Sequence, residues 1–285
     1  HGRTVMQGAI TADDPRFVRA WWEVSPNRIV NTKRWTGTPA LDDWCRLETH
    51  KGYRWSLFAK GGEYSPFYAD VHLVLNWAAD CGEIEESLLA KYPYLGTKAG
   101  WVLHRDAFHF CAGITWSRRT QGGLSFRGLP AGSVFSDKGP AVFVPPENLP
   151  ELLALVNSPP FASLVALQMA FGSYEVGVIQ RTPVPPLEGA DGERLGVLAR
   201  ACVDLKCSLD TANETSHLFA LPALPQIGTP HDLGKACAAW QARVAHAEKE
   251  LAKHQREIDD IAFRMYGIDD ADRAAMEATG QALAE

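Results

Sequence analysis

The residues best suited to chemistry stand in one run. From Gly113 the chain reads Gly-Ile-Thr-Trp-Ser-Arg-Arg-Thr-Gln-Gly-Gly-Leu-Ser-Phe-Arg-Gly-Leu-Pro, and it continues through Lys138-Gly-Pro-Ala-Val-Phe143. Trp116, Ser117, Arg118, Arg119, Thr120, Gln121, Ser125 and Arg127 crowd three arginines, three hydroxyls, an amide and an indole around one turn. Arginine offers a bidentate fork, glutamine pairs with the edge of adenine, and tryptophan stacks. That set suits phosphate oxygens and base edges. It equally suits a plain basic hairpin with solvated arginines and a core tryptophan.

Short strands are expected to position these groups. Apolar residues alternate with polar ones at Leu124 and Phe126 and recur at Val134 and Phe135, while Gly122-Gly123, Gly128, Pro130, Gly132 and Gly139-Pro140 punctuate the run. Such punctuation marks strands joined by tight turns. The 285 residues, 46% apolar, are ample for a buried core in one large domain or two smaller ones. The net charge of -6 is unlike a nucleic-acid binder, but it is unevenly spread. Residues 1–60 carry 10 Lys and Arg against 6 Asp and Glu, residues 61–90 carry 0 against 6, and residues 91–140 carry 7 against 2. The remainder is acidic. Local fields steer a polyanion, so two basic blocks flanking an acidic insert keep that partner open.

Along the chain, Asp13-Asp14-Pro15 is expected to open a short helix through Phe17, Val18 and Trp21-Trp22. Residues 25–52 read as polar and irregular. Strands are expected at 53–58 and 71–77, joined by the turn Lys60-Gly-Gly-Glu-Tyr-Ser-Pro66, and a short acidic helix at 80–91. Helices are expected from Pro146-Glu147 to Val156 and from Pro159 to Phe171, with a strand from Tyr174 to Gln180. The cluster Pro183-Val-Pro-Pro186 is the candidate linker, and the residues beyond it read as helix. Leu233, Cys237, Trp240, Val244, Ala247, Leu251, His254, Ile258, Ile261 and Met265 are spaced by alternating fours and threes, the period of a heptad seam. At ~1.5 Å per residue the seam would run roughly 48 Å. Gly267 sits where a C-cap belongs. The seam must pack either antiparallel to residues 193–209 or against another domain or subunit.

The residue pattern offers little other chemistry. His104, His109 and Cys111 lack the second pair of ligands that zinc needs. The six cysteines are scattered with no Cys-x-x-Cys pair and read as reduced, mostly buried thiols of a cytoplasmic protein. No apolar run reaches the ~18 residues of a membrane span. There is no phosphate loop and no Gly-x-Gly-x-x-Gly. Asn157-Ser158-Pro159-Pro160-Phe161 resembles the polar-Pro-Pro-aromatic motif of amino-methyltransferases, in which the aromatic stacks on a flipped base. No strand ending in a Gly-rich turn accompanies it, and Pro-Pro in the first turn of a helix is the plainer reading. The chain opens on His1 and is expected to be a piece of a longer protein.

Several separated segments carry a family resemblance. They are Val5-Met-Gln-Gly-Ala-Ile-Thr with Arg16 to Val24, Trp55 to Pro66 with Val74 to Trp77, Gly113 to Arg119 with Phe135 to Phe143, Leu155 to Ser158 with Gly172 to Pro185, and Glu257 to Ile268. In this order they resemble the C-terminal target-recognition region of type IIG restriction-modification adenine methyltransferases and, more closely, of the PglX-class methyltransferases of BREX phage-defence systems. The resemblance implies a DNA sequence-recognition fragment, with adenine-N6 methyl transfer from S-adenosylmethionine performed by the parent protein through motifs preceding His1.

The expectation is thus a mixed α+β fold: a recognition domain over residues 1–186 with a short-stranded sheet and flanking helices, then a helical spacer over 187–285. This chain alone is expected to lack a catalytic site, a bound cofactor and a metal. Its expected partners are double-stranded DNA, the missing N-terminal methyltransferase domain and other defence-system subunits, with no membrane. Arg118 and Arg119 are expected to contact guanine or phosphate, with Gln121, Ser117 and Thr120 on base edges or phosphates. Lys60, Arg34 and Arg127 are expected to hold phosphates, and Trp116, Tyr64 or Tyr174 to stack or wedge into the duplex. Two other readings stay open: a complete small amino-methyltransferase using Ser158-Pro159-Pro160-Phe161, and a protein-interaction module built on the heptad helix.

Overall fold

The computed structural model describes residues 2–105, 107–169, 172–228 and 232–282. In chain order they begin β1 (Thr4–Met6), α1 (Asp14–Phe17), β2 (Val18–Ala20), α2 (Leu41–His50), β3 (Trp55–Ala59), β4 (Leu73–Asn76), α3 (Ala78–Lys91) and α4 (Ala99–Leu103). Next come β5 (Gly113–Trp116), β6 (Phe126–Leu129), β7 (Ser133–Phe135), β8 (Ala141–Phe143), α5 (Leu149–Val156), α6 (Pro159–Ala166) and α7 (Val176–Arg181). The chain ends with α8 (Ala190–Asp210), α9 (Ala223–Gln226), α10 (Leu233–Tyr266) and α11 (Asp270–Ala282). The fold is α+β, as the pattern of short alternating runs and longer helical periods requires.

The chain divides into two compact units. One comprises His1–Ser65, Val71–Pro146 and Phe171–Gln180; the other comprises Pro66–Asp70, Glu147–Ala170 and Arg181–Glu285. These limits interleave, whereas the proline cluster suggested a single division after residue 186. Residues 147–170 group with the C-terminal helices.

The first unit holds both sheets. One has the order β1-β8-β5-β6 with antiparallel neighbours; the other has the order β2-β4-β3-β7, with β3 and β7 parallel. Consecutive strands β7 and β8 lie in different sheets, so the turn at 136–140 joins the sheets covalently. Phe17, Phe58, Leu75, Trp77, Ile84, Leu88, Leu103, Phe110 and Val134 form one buried cluster; Ala59, Leu129, Phe135, Ala141 and Phe143 form another. His109 stands where the two meet, its ring 4.8 Å from Trp77 and 4.7 Å from Phe135. α3 opens on three left-handed residues, Ala79, Asp80 and Cys81, each costing about 1–2 kcal/mol. The Asp80 carboxylate holds that turn by accepting from Trp77 Nε1 at 3.0 Å and Arg46 Nη1 at 2.9 Å.

Four local expectations change. The first helix ends at Phe17, because Val18 pairs with Leu75 in β2 and β4. The stretch 25–52 contains the helix α2, whose Cys45 is buried. Residues 176–181 are helical rather than extended: their buried pair is Val178 and Ile179, adjacent residues that an alternating strand would send to opposite faces. The helix expected from Pro159 ends at Ala166, and its expected limit at Phe171 lies outside the described residues.

In the second unit, α8 runs antiparallel to α10. Arg194 Nε meets Glu257 at 2.6 Å, Arg264 Nη2 meets Asp191 at 2.6 Å, and Arg243 Nη2 donates to the Ser208 carbonyl at 3.1 Å. The heptad seam therefore finds its partner within the chain. Its C-terminal half is buried at Ile258 and Ile261, while Leu233 and Cys237 remain exposed. Gly267 caps α10 in the left-handed conformation. Segment 66–70 belongs here because Lys206 Nζ donates to the Pro66 carbonyl, Tyr68 donates to Asp210, and Asp70 meets His217 Nδ1 at 3.0 Å. Among the described residues no single helix is long and apolar enough to cross a membrane. All six cysteines are free, and burial pushes the Cys45 thiol up to about 12 and those of Cys81, Cys202 and Cys207 up to about 11.

Burial pushes His109 down from 6.5 to about 3, with the Arg46 charge adding to the effect. The folded state then refuses a proton that the unfolded chain accepts below about 6.5. Stability is complete above that pH and declines as pH falls toward 3. Between pH 7.5 and 5.5 the wild type should lose about 1.4 kcal/mol more unfolding free energy than His109→Phe. Urea titrations of both proteins at the two pH values measure it; equal losses would disprove the assignment.

Candidate nucleic-acid interface

The basic run folds as expected into a hairpin. β5 and β6 pair from Gly113 with Leu129 to Trp116 with Phe126, and residues 117–125 connect them. The Trp116 ring is fully buried 5.7 Å from Phe126, and its Nε1 donates to the Tyr174 carbonyl at 2.9 Å. Arg127 is 4% exposed. Its Nη2 donates to Ser117 Oγ at 2.9 Å and its Nη1 to the Glu63 carbonyl at 3.0 Å, while Ser117 Oγ donates to the Gly62 carbonyl at 2.6 Å. Burial lowers the Arg127 pKa, yet a guanidinium stays charged. A charge so placed is costly unless hydrogen-bonded.

This knot brings three turns together. The turn at 60–66 meets the hairpin through Gly62, Glu63 and the Ser65 N–H, which donates to Ser125 Oγ at 3.1 Å. The Tyr64 Cβ lies where a Gly122 side chain would need space. The third turn, 136–140, closes on the first: a Cβ at Gly139 would stand 2.5 Å from Gly61 N. The Lys138 carbonyl also accepts from Arg118 N at 3.0 Å.

Carboxylates then take up most of the cations around these turns. Arg118 Nη2 lies 2.8 Å from Glu175 Oε2, and its Nη1 lies 3.9 Å from Asp137. Burial would raise the Glu175 pKa, but hydrogen bonds from Ser173 and Arg118 and the charges of Arg118 and Arg119 hold it below the usual range. Lys138 Nζ meets Asp137 at 2.6 Å. Lys60 pairs with Asp14, whose carboxyl is raised by burial but lowered further by Lys60, Thr11 and Lys138. Lys60, Lys138, Asp14, Asp137 and Lys91 line a polar cavity of about 440 Å³.

The expected contact residues therefore separate. Trp116, Ser117 and Arg127 are inside, their polar atoms engaged by the protein, and they build the base of the loop. Arg119, Gln121 and Tyr64 are exposed; Thr120, Arg118, Lys60 and Tyr174 are half-buried. Thr120 Oγ1 accepts from Gly122 N at 3.1 Å. Burial raises the Tyr174 pKa. Arg34 stands apart: its guanidinium lies over the Tyr53 ring at 4.5 Å and 3.5 Å from Glu48. Asp14 and Glu175 lie 46 and 57 residues from Lys60 and Arg118, so the sequence gives no local sign of these pairs, whereas Asp137 adjoins its partner Lys138.

The other candidate motifs have structural employment. Ser158 is 1% exposed and donates to the Leu155 carbonyl at 2.6 Å; Pro160 and Phe161 are buried at the start of α6. Among the described residues no group of three or more His, Cys, Asp or Glu could hold a metal.

No family model matches the chain. It is 23% identical over 273 residues to the adenine-specific methyltransferase PglX of Lacticaseibacillus casei (strain Zhang), an alignment covering 93% of this chain and 21% of that protein. The chain thus spans about a fifth of the length of the curated relative it matches. At this level of similarity it is related to a fragment of an adenine-specific methyltransferase.

If Ser117 supports the loop and Arg119 does not, their substitutions differ. Ser117→Ala strands a buried guanidinium N–H and should cost about 1–3 kcal/mol of unfolding free energy. Arg119→Ala should stay within about 0.5 kcal/mol of the wild type. Urea denaturation distinguishes them, and equal effects would refute the division.

Proposed function

We propose that this chain is the DNA sequence-recognition fragment of an adenine-N6 DNA methyltransferase of a phage-defence or restriction-modification system. One observation carries the reading: exposed Arg119 and Gln121 stand on a hairpin loop whose base is locked by buried Arg127, Ser117 and Trp116. An arginine fork and an amide on a rigid support can read guanine and adenine edges with little ordering cost. In this reading Thr120 and Arg118 flank them, Lys60 faces the backbone, and Tyr64 or Tyr174 stacks. Arg118 would exchange its Glu175 partner for DNA. The relationship to a fragment of an adenine-specific methyltransferase supports assigning methyl transfer and S-adenosylmethionine to the remainder of a larger cytoplasmic protein. That remainder would be one partner, and duplex DNA the other.

A second reading, a protein-interaction module, draws on exposed Leu233 and Cys237 at the start of the α10 seam. It predicts a stable oligomer without DNA affinity.

Selection of duplex pools across a salt series tests the first reading. Wild-type binding should fall as salt rises, because bound lysines and arginines release counterions. Arg119→Ala/Gln121→Ala should bind the enriched sequence at least about ten-fold more weakly and lose discrimination at one or two base pairs. Unchanged affinity in the double variant would refute the loop's role; equal weakening on every sequence would make the contacts phosphate contacts.

A further inference from the structure

Residues 91–105 contain Lys91, Lys98 and Arg105 and no Asp or Glu. They also carry Tyr94 and Trp101, which are 82% and 74% exposed and rank among the three most exposed large apolar side chains of the described residues. Rings of this size normally go inside, so two left exposed within one short segment call for a partner. Tyr94 meets Tyr92 edge-on at 5.9 Å, and Lys98 Nζ lies over the Trp101 ring at 5.4 Å.

This segment is pinned at both ends to the wall of the polar cavity. Lys91 Nζ donates to the Ala12 carbonyl at 3.0 Å, and the Val102 carbonyl accepts from Ile10 N at 3.0 Å. Ile10, Ala12 and Lys91 line the same cavity as Lys60 and Lys138, which belong to two of the turns beneath the recognition loop. Lys91, Lys60 and Lys138 thus border one cavity, which Asp13, Asp14 and Asp137 also line, with Lys60 paired to Asp14 and Lys138 to Asp137; Lys98, beside Trp101, lies outside it. An aromatic face beside Lys98, with no carboxylate in the segment, suits a stacked base with its phosphate on the lysine.

We propose that Tyr94 and Trp101 form a stacking platform for unpaired nucleotides of bound DNA, with Lys98 holding a phosphate beside Trp101. The platform extends the recognition reading and rests on it for the identity of the polymer.

The test is fluorescence anisotropy of the full chain with two probes, a blunt duplex and the same duplex bearing a single-stranded overhang. The wild type should bind the overhang probe about ten-fold more tightly. Tyr94→Ala/Trp101→Ala should abolish that advantage and leave blunt-duplex binding unchanged, whereas Tyr94→Phe/Trp101→Phe should retain it. Lys98→Ala should reduce the salt slope on the overhang probe by about one. A wild type without preference overturns the platform, as does a preference that survives the double alanine variant with its circular dichroism intact. A change of oligomeric state in that variant overturns it too, in favour of a protein contact. Arg119→Ala/Gln121→Ala separates the two ideas. If it leaves blunt binding intact while the alanine pair still erases the overhang advantage, the recognition loop falls and the platform stands.

Discussion

The guanidinium of Arg127 sits where almost no water reaches it, and the upper part of the first unit is arranged around its needs. An isolated charge in such a place costs several kcal/mol even after relaxation. Ser117 Oγ and the Glu63 carbonyl accept from it, and Ser117 passes the connection on to the Gly62 carbonyl. If the turn at 60–66 and the hairpin moved apart, two buried donors, Arg127 Nη1 and Ser117 Oγ, would lose their acceptors. The loop at 118–122 is therefore displayed from a support that resists displacement.

The same logic governs the surrounding charges. Residues 91–140 form the most basic block in the chain, but Asp14, Asp137 and Glu175 meet Lys60, Lys138 and Arg118. Only part of the formal positive charge faces outward. These pairs are partly exposed, so each contributes little to stability on its own. Their larger effect is to hold long side chains around one cavity; Lys91, Lys98, Arg119 and Lys138 remain exposed.

The second unit solves a different problem. α10 draws most of its stability from a packed face rather than from propensity. α8 supplies one, and bidentate contacts from Arg194 to Glu257 and from Arg264 to Asp191 mark the antiparallel register at one end. The apolar pair α5 and α6 hides its side chains here, which is why a composition close to that of a membrane hairpin occurs in a buried core.

Read by itself, the sequence determined what depends on neighbours along the chain. Period and caps located α10 to within a residue, Gly and Pro delimited the β5–β6 hairpin, and side-chain type nominated Arg119 and Gln121. Alternation failed where two periods overlap: Tyr174, Val176 and Val178 imitate a strand, yet burial of the adjacent Val178 and Ile179 selects a helix. Tertiary structure alone decided which nominated residues face solvent. Arg119 and Arg127 are chemically identical and eight positions apart, but one is exposed and the other carries the fold. Acceptors at Gly62 and Glu63, more than 50 residues earlier, settle that difference, because burying a charge depends on every group around it and not on the residue's own neighbours in sequence.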